Sequence, residues 1–236
     1  MTIFRILALA GLVLAVPVSA PAAEKAAAPG SPPAEAAEDE EPESGPVLSP
    51  AAMRVADWIA ASGDNRELPY AIVDKKAARI FLFDGDGEFV ADAPVLIGIA
   101  EGDEATPGVG SKNLAEIGPA ERTTPAGRFL AKYGLAVGRQ RVLWIDYATS
   151  VALHPIPAGA SRKERRRERM LSETIEDNRI TFGCINVPKL LYYKSLRPRF
   201  QKKGGYVYVL PDVKPIEEVF PRLRVHALGA GSTIAR

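Results

Sequence analysis

RITFGCINVPKLLYY, Arg179 to Tyr193, holds the only cysteine of a 236-residue chain. Gly183 stands immediately before Cys184, and Ile185 and Asn186 follow it. A lone cysteine serves as an inert core residue, as half of an intermolecular disulfide, or as a nucleophile. The stretch alone does not choose among these. The choice depends on where the chain works and on what the thiol has for a partner.

The first residues, MTIFRILALAGLVLAVPVSAPAA, combine Arg5, an apolar run from Ile6 to Val16 and the small residues Ser19 to Ala23. That plan matches a secretory signal peptide over residues 1–22, cleaved after Ala22, and the run is short for a bilayer span. The expectation is an exported protein, periplasmic or cell-wall associated, with no membrane span in its mature form. Residues 23–50 are rich in Pro, Ala and Glu and acidic around Glu38 to Glu43. Such a segment cannot bury enough apolar surface to offset its ordering entropy, so it reads as a disordered linker. A formal net charge of +1 and a pI near 7.8 argue against nucleic acid as a partner. Two histidines and one cysteine offer no cluster from which to build a metal site.

The remainder is long enough for one domain with a real core. Ala51 to Ser62 has apolar residues at helical spacing, with Ser49 as its cap and Gly63 at its end, opening an N-terminal helical segment over 51–67. The period then changes. YAIVD (70–74), ARIFLF (78–83), EFVADAPVLIG (88–98), GRFLAKYG (127–134), RVLWIDY (141–147), SVALH (150–154) and YVYVL (206–210) are β-branched and aromatic, with turn residues between most of them. The Asp-Gly-Asp-Gly of 84–87 reads as a hairpin loop rather than a calcium loop. PGVGSK (107–112) lacks the spacing of a phosphate loop. The fold class is therefore mostly β with a few helices, a sandwich or barrel rather than a doubly wound sheet, with a C-terminal tail over 213–236.

His154 ends an apolar strand and precedes Pro155, whereas His226 sits in a basic tail. A thiol attacks as the thiolate, and an imidazole can take its proton, so His154 is the candidate base for Cys184. Pro188 suits the first turn of a helix, which would set Cys184 just before a helix N-terminus. Backbone N–H groups of Gly183 and Cys184 could hold an oxyanion. Between these residues lies SRKERRRER (161–169), six bases against two glutamates. It reads as a solvated helix with near-neighbour ion pairs such as Glu164 with Arg167; an acidic polymer is its alternative partner.

TFGCIN (181–186), preceded by a histidine on a strand end, resembles the L,D-transpeptidase (YkuD-like) catalytic domain. The opening strands 70–98 and TTPAGRF (123–129) are similar to that family as well, so the resemblance spans residues 69–210. It implies an L,D-transpeptidase-like β-sandwich or barrel over 68–212. It also implies Cys184 as nucleophile, His154 as base with the Pro155 carbonyl orienting it, and Gly183 and Cys184 as oxyanion backbone. Thr181 and Asn186 would shape the site, although both also suit local capping of the turn. The reaction implied is acyl transfer on peptidoglycan stem peptides, serving cell-wall biogenesis and cell shape. Cys184 would attack the carbonyl of the third stem residue, expel D-Ala, and pass the thioester to an amine or to water, with no metal or cofactor.

Two departures from the family pattern stand out. Phe182 occupies the place of the family's second histidine, and the spacer 155–180 is longer and carries the basic run as a lid-like insertion. Hydrolysis by the same nucleophile, as an L,D-carboxypeptidase, and a non-catalytic wall-binding module with a decayed site are the competing functions. A low thiol pKa would favour the enzyme, and an ordinary one near 8.5 would favour the module. Arg179 and Arg197 are offered as partners for substrate carboxylates. The strand or helix spacing of Trp144, Tyr147, Tyr192 and Tyr193 assigns them to core packing rather than to a glycan groove.

Overall fold

A computed structural model describes residues 46–136 and 139–225. The expected leader, the linker up to residue 45 and His226 lie outside the described residues. Ser49 caps α1 (Pro50–Ser62) by accepting from the Ala52 N–H, and Pro50 opens the helix where no N–H is needed. The helix buries Ala52, Val55, Trp58 and Ile59. Among the described residues no helix is long and apolar enough to cross a membrane.

The ground under α1 is a strand layer buried on both faces. β1 (Tyr70–Asp74), β2 (Arg79–Phe83) and β10 (Gly205–Val209) alternate between two apolar sets. Ala71, Val73, Ile80, Leu82, Val207 and Val209 face the main core, while Tyr70, Ile72, Phe81, Phe83, Tyr206 and Tyr208 meet α1. Phe220 and Leu223, beyond α4 (Ile216–Val219), join this second cluster. Part of the expected C-terminal tail therefore packs as core.

The principal sheet has eight strands in the order β3-β2-β1-β10-β5-β6-β7-β9. Here β3 is Phe89–Pro94, β5 Gly127–Leu135, β6 Arg141–Asp146, β7 Val151–Pro155 and β9 Ile185–Val187. The sequence places YVYVL as a strand closing the pattern; in the sheet it is central, parallel to β1 and antiparallel to β5. The sheet is nearly closed on itself. Leu96, just past β3, exchanges both backbone bonds with Asn186 of β9 at 2.9 Å each. β4 (Ile97–Gly98) then runs parallel to β8 (Arg179–Thr181). The fold is mostly β with few helices, and the barrel-like closure brings the motif strands β8 and β9 against the segment leaving β3.

The stretch 161–178 is not a single solvated helix. It breaks into a 3₁₀ turn at Arg162–Glu164, the five-residue α2 (Arg166–Met170) and a second 3₁₀ turn at Ile175–Asn178. Arg165 at the first break has φ of +46°, a left-handed conformation that ends one turn and restarts the next. Glu164 pairs with Arg166, not Arg167, and Asn178 is buried with its amide on the Val95 carbonyl. Through Asn178 the insertion is pinned to the segment that follows β3.

Candidate active site

β7 and β9 run side by side and parallel, with Leu153 opposite Ile185 and His154 opposite Asn186. Leu153 and Ile185 point into the core, so His154 and Asn186 share the other face of the sheet. Cys184 stands one residue before β9, beside Ala152 in the cross-strand row. The sheet, more than any helix, brings His154 and Cys184 onto one face.

The His154 Nδ1–H donates to the Pro155 carbonyl at 2.8 Å, because a carbonyl can only accept. That bond fixes the tautomer and leaves Nε2 with its lone pair. Burial holds the imidazole below its ordinary pKa; the Pro155 bond pulls up, and the Arg166 charge adds to the lowering. His154 is therefore neutral at physiological pH. Cys184 is partly accessible, and its thiol points to the Ser150 carbonyl at 3.7 Å. Ser150 itself sits at φ +59°, a turn that aims this carbonyl at the thiol. Burial pushes the thiol up, with the Ala152 backbone and the Arg166 charge pulling partly back.

This corrects the sequence expectation of a thiolate favoured by a helix N-terminus. The helix begins only after Pro188, and β9 lies between it and Cys184. Three extended residues span roughly 10 Å, and a terminal dipole acts only over about the first turn. Burial thus favours the neutral form of both groups, and no preformed thiolate marks the site.

The turn before Cys184 is held by two threonine hydroxyls. The Thr181 hydroxyl donates to the Cys184 carbonyl at 2.6 Å and accepts the Gly183 N–H at 3.1 Å. The buried Thr124 hydroxyl donates to the Gly183 carbonyl and accepts the Gly98 N–H, both at 2.8 Å. Gly183 has φ of +121°, and a Cβ there would lie 2.6 Å from the Thr123 carbonyl oxygen. Gly183→Ala therefore combines left-handed strain with a backbone clash, and a loss of 2 kcal/mol or more, on the order of the largest single backbone effects, is expected in chemical denaturation. A second correction follows for the oxyanion. The Gly183 N–H donates to the Thr181 hydroxyl, so it could reach an oxyanion only by giving up that bond.

Asn186 is fully buried, and its Oδ1 accepts from Arg166 Nη1 at 2.8 Å. Arg166 Nε is held by Glu164 at 2.8 Å, and its side chain is 12% exposed. One guanidinium of the basic run is thus turned inward onto the site. Nothing in a run of six bases marks this one, and only the break at Arg165 could have separated it from its neighbours. Phe182 lies under the Arg122 guanidinium, 4.0 Å from the ring centroid, while Arg122 also donates to the Ile117 carbonyl. The position of the family's second histidine is occupied here by a cation–π pair.

Arg179, offered as a substrate contact, instead pairs with Asp212 at 2.8 Å. Asp212 belongs to a buried network unseen in the sequence. Lys75 has no exposed surface and contacts Asp103 at 3.0 Å, Asp212 at 3.2 Å and the Thr124 carbonyl at 2.9 Å. Asp103 also accepts the backbone N–H groups of Asp212, Val213 and Lys214. These bonds outweigh burial and bring its pKa down to about 2. Through Thr124 this network reaches the Gly183 carbonyl. Among the described residues no group of three His, Cys, Asp or Glu side chains gathers to hold a metal.

No protein-family model matches the chain, and no curated protein is similar to it. Solved structures do match. The chain is similar to L,D-transpeptidase structures. The catalytic domain of the Enterococcus faecium L,D-transpeptidase matches 61% of this chain and 98% of its own, at 19% identity and a TM-score of 0.32. The helical cell shape determining protein Pgp2 from Campylobacter jejuni matches 67% of this chain and 56% of its own, at 14% identity and a TM-score of 0.40. Bd1075 from Bdellovibrio bacteriovorus matches 70% of this chain and 56% of its own, at 14% identity and a TM-score of 0.38. The chain thus spans little more than half the length of Pgp2 and Bd1075. Similarity at this level concerns the fold alone.

Proposed function

We propose that the chain is an exported cysteine acyltransferase of the L,D-transpeptidase type, acting on peptidoglycan stem peptides. The observation that carries the reading is the fixed tautomer of His154, whose Nε2 is left as an acceptor on the sheet face that also holds the chain's one thiol. His154 Nε2 takes the Cys184 proton as Sγ attacks the carbonyl of the third stem residue. The Cys184 N–H holds the developing oxyanion. Collapse breaks the C–N bond, the imidazolium returns its proton to the leaving D-Ala amine, and a thioester remains. An acceptor amine then loses its proton to Nε2, attacks the thioester and releases Sγ, which recovers the proton.

Arg166 stabilises charge that builds on sulfur during attack and, through Asn186, keeps the face beside His154 ordered. Because base and nucleophile rest neutral, the acid limb of acylation should fall below the ordinary imidazole value of about 6.5. Thiol alkylation in the free protein should titrate above the usual thiol range of about 8.5, and higher still in Arg166→Ala. An alkylation pKa well below that range in the wild-type chain would contradict a neutral resting pair.

Product analysis tests the reaction. Incubation with tetrapeptide muropeptides should release D-Ala and yield cross-linked dimers. Release without dimers would make the chain an L,D-carboxypeptidase. Neither product, from folded protein, would remove the enzyme reading and leave the wall-binding module.

A further inference from the structure

The outward face of β5 and β6 carries a second feature that takes no part in the bond-making steps above. A cavity of about 430 Å³ is lined there by Leu130, Lys132, Gly134, Leu135, Trp144 and Tyr147. That size lies within the range of small-molecule clefts. The sequence assigns both aromatics to core packing, yet Tyr147 is 75% exposed. Trp144 lies on the face opposite the core residues Leu143 and Ile145. Its indole lies across Gly134, where a Cβ would come within 2.6 Å of Cδ1 and 2.8 Å of Nε1. The Trp144 Nε1–H is buried without a hydrogen-bond partner. The rings of Trp144 and Tyr147 meet edge to face at 4.9 Å, forming a corner with two apolar faces.

The register sets this corner relative to the thiol. Lys132 pairs with Trp144 and Trp144 with Ala152, and Cys184 is next in the row. Strands lie about 4.8 Å apart, so the indole strand and the Cys184 strand are separated by roughly 10 Å. Three extended peptide residues span about the same distance. That is the length of stem between the carbonyl attacked by Cys184 and the sugar from which the stem hangs.

We propose that the Trp144–Tyr147 corner is a saccharide subsite for the N-acetylated hexosamine that bears the stem peptide. The apolar ring face of the sugar packs on the two aromatic rings. The proposal rests on the stem-peptide reading for its distance argument, but its first test does not depend on catalysis.

In that test, calorimetric titration of the full chain carrying Cys184→Ala with N-acetylglucosamine tetramer should show saturable binding. Adding Tyr147→Ala or Trp144→Phe should weaken it by about tenfold, the scale of one lost aromatic contact. Tyr147→Ala removes an exposed ring, so its effect does not depend on refolding. No saturable heat at millimolar sugar, or equal binding in both variants, would overturn the subsite. In the second test, the Cys184-intact chain should show a lower KM for the disaccharide tetrapeptide than for the free tetrapeptide, and Tyr147→Ala should abolish that gap. Equal KM values for the two substrates in the wild-type chain would overturn the subsite while leaving the stem-peptide reading intact. Sugar binding without turnover of either substrate would do the reverse.

Discussion

His154→Ala is expected to slow acylation of Cys184 by about 10²–10⁴-fold at neutral pH, the usual worth of a positioned general base. The expectation follows from the state of the thiol. Its pKa is pushed up by burial, so little thiolate exists before substrate arrives. His154 is held neutral by the same burial and pointed by Pro155, so its Nε2 can take the proton during attack. Single-turnover acylation followed by rapid quench reads the effect. The residual rate of His154→Ala should climb tenfold per pH unit until the thiol itself titrates. A loss of less than tenfold would mean that the thiol is activated by something other than His154.

Lys75→Met is expected to destabilise the fold by about 3–5 kcal/mol, because it removes the cation paired with buried Asp103 and one of the two paired with Asp212. Asp103 and Asp212 have side chains only 2% and 4% exposed. Methionine keeps the length of the lysine stem, so the loss isolates charge and hydrogen bonding from packing. For a domain of this size the change amounts to roughly 6–20 °C in Tm, read by thermal denaturation. Asp103 adds a pH signature. Its folded pKa, about 2, lies below the ordinary 3.8, so between those values the unfolded chain binds more protons. Its contribution is therefore complete above about pH 5 and is lost as pH falls through 2, about 2 kcal/mol in all. A Lys75→Met chain within 1 kcal/mol of wild type would make the network incidental.

The strands legible in the sequence are those whose own residues decide them. Ile72, Val73, Ile80, Phe81, Val207 and Tyr208 are β-branched or aromatic and lie between turn residues, so their runs announce strands with bounds right to a residue or two. β8 and β9 were not legible. Each has three residues, and the backbone between them is shaped by the Thr181 and Thr124 hydroxyls and by Gly183 at positive φ, all contacts made by tertiary structure. The position of β10 was hidden for a related reason: pattern reveals that a strand exists, and order in a sheet depends on long-range pairing.

At the site, Cys184 and His154 stood out through rarity and motif. Arg166 did not, because its role depends on one left-handed residue that breaks the basic run and swings a single side chain inward. Lys75 sits in Asp74-Lys75-Lys76, which looks like a solvated turn, and only the return of Asp103 and Asp212 from distant loops explains its burial. Tyr147 and Trp144 were assigned to the core by strand spacing alone. Spacing says that two faces exist, but both faces of β6 carry large residues, so it could not say which one meets solvent.

The most direct measurement is intact-protein mass spectrometry of the mature chain after brief exposure to tetrapeptide muropeptides. The expected result is a mass gain equal to the substrate less D-Ala, mapped to Cys184, absent in Cys184→Ala and strongly delayed in His154→Ala. An unmodified thiol under turnover conditions, or an adduct that persists in Cys184→Ala, would contradict the assignment of Cys184 as the residue that carries the acyl group.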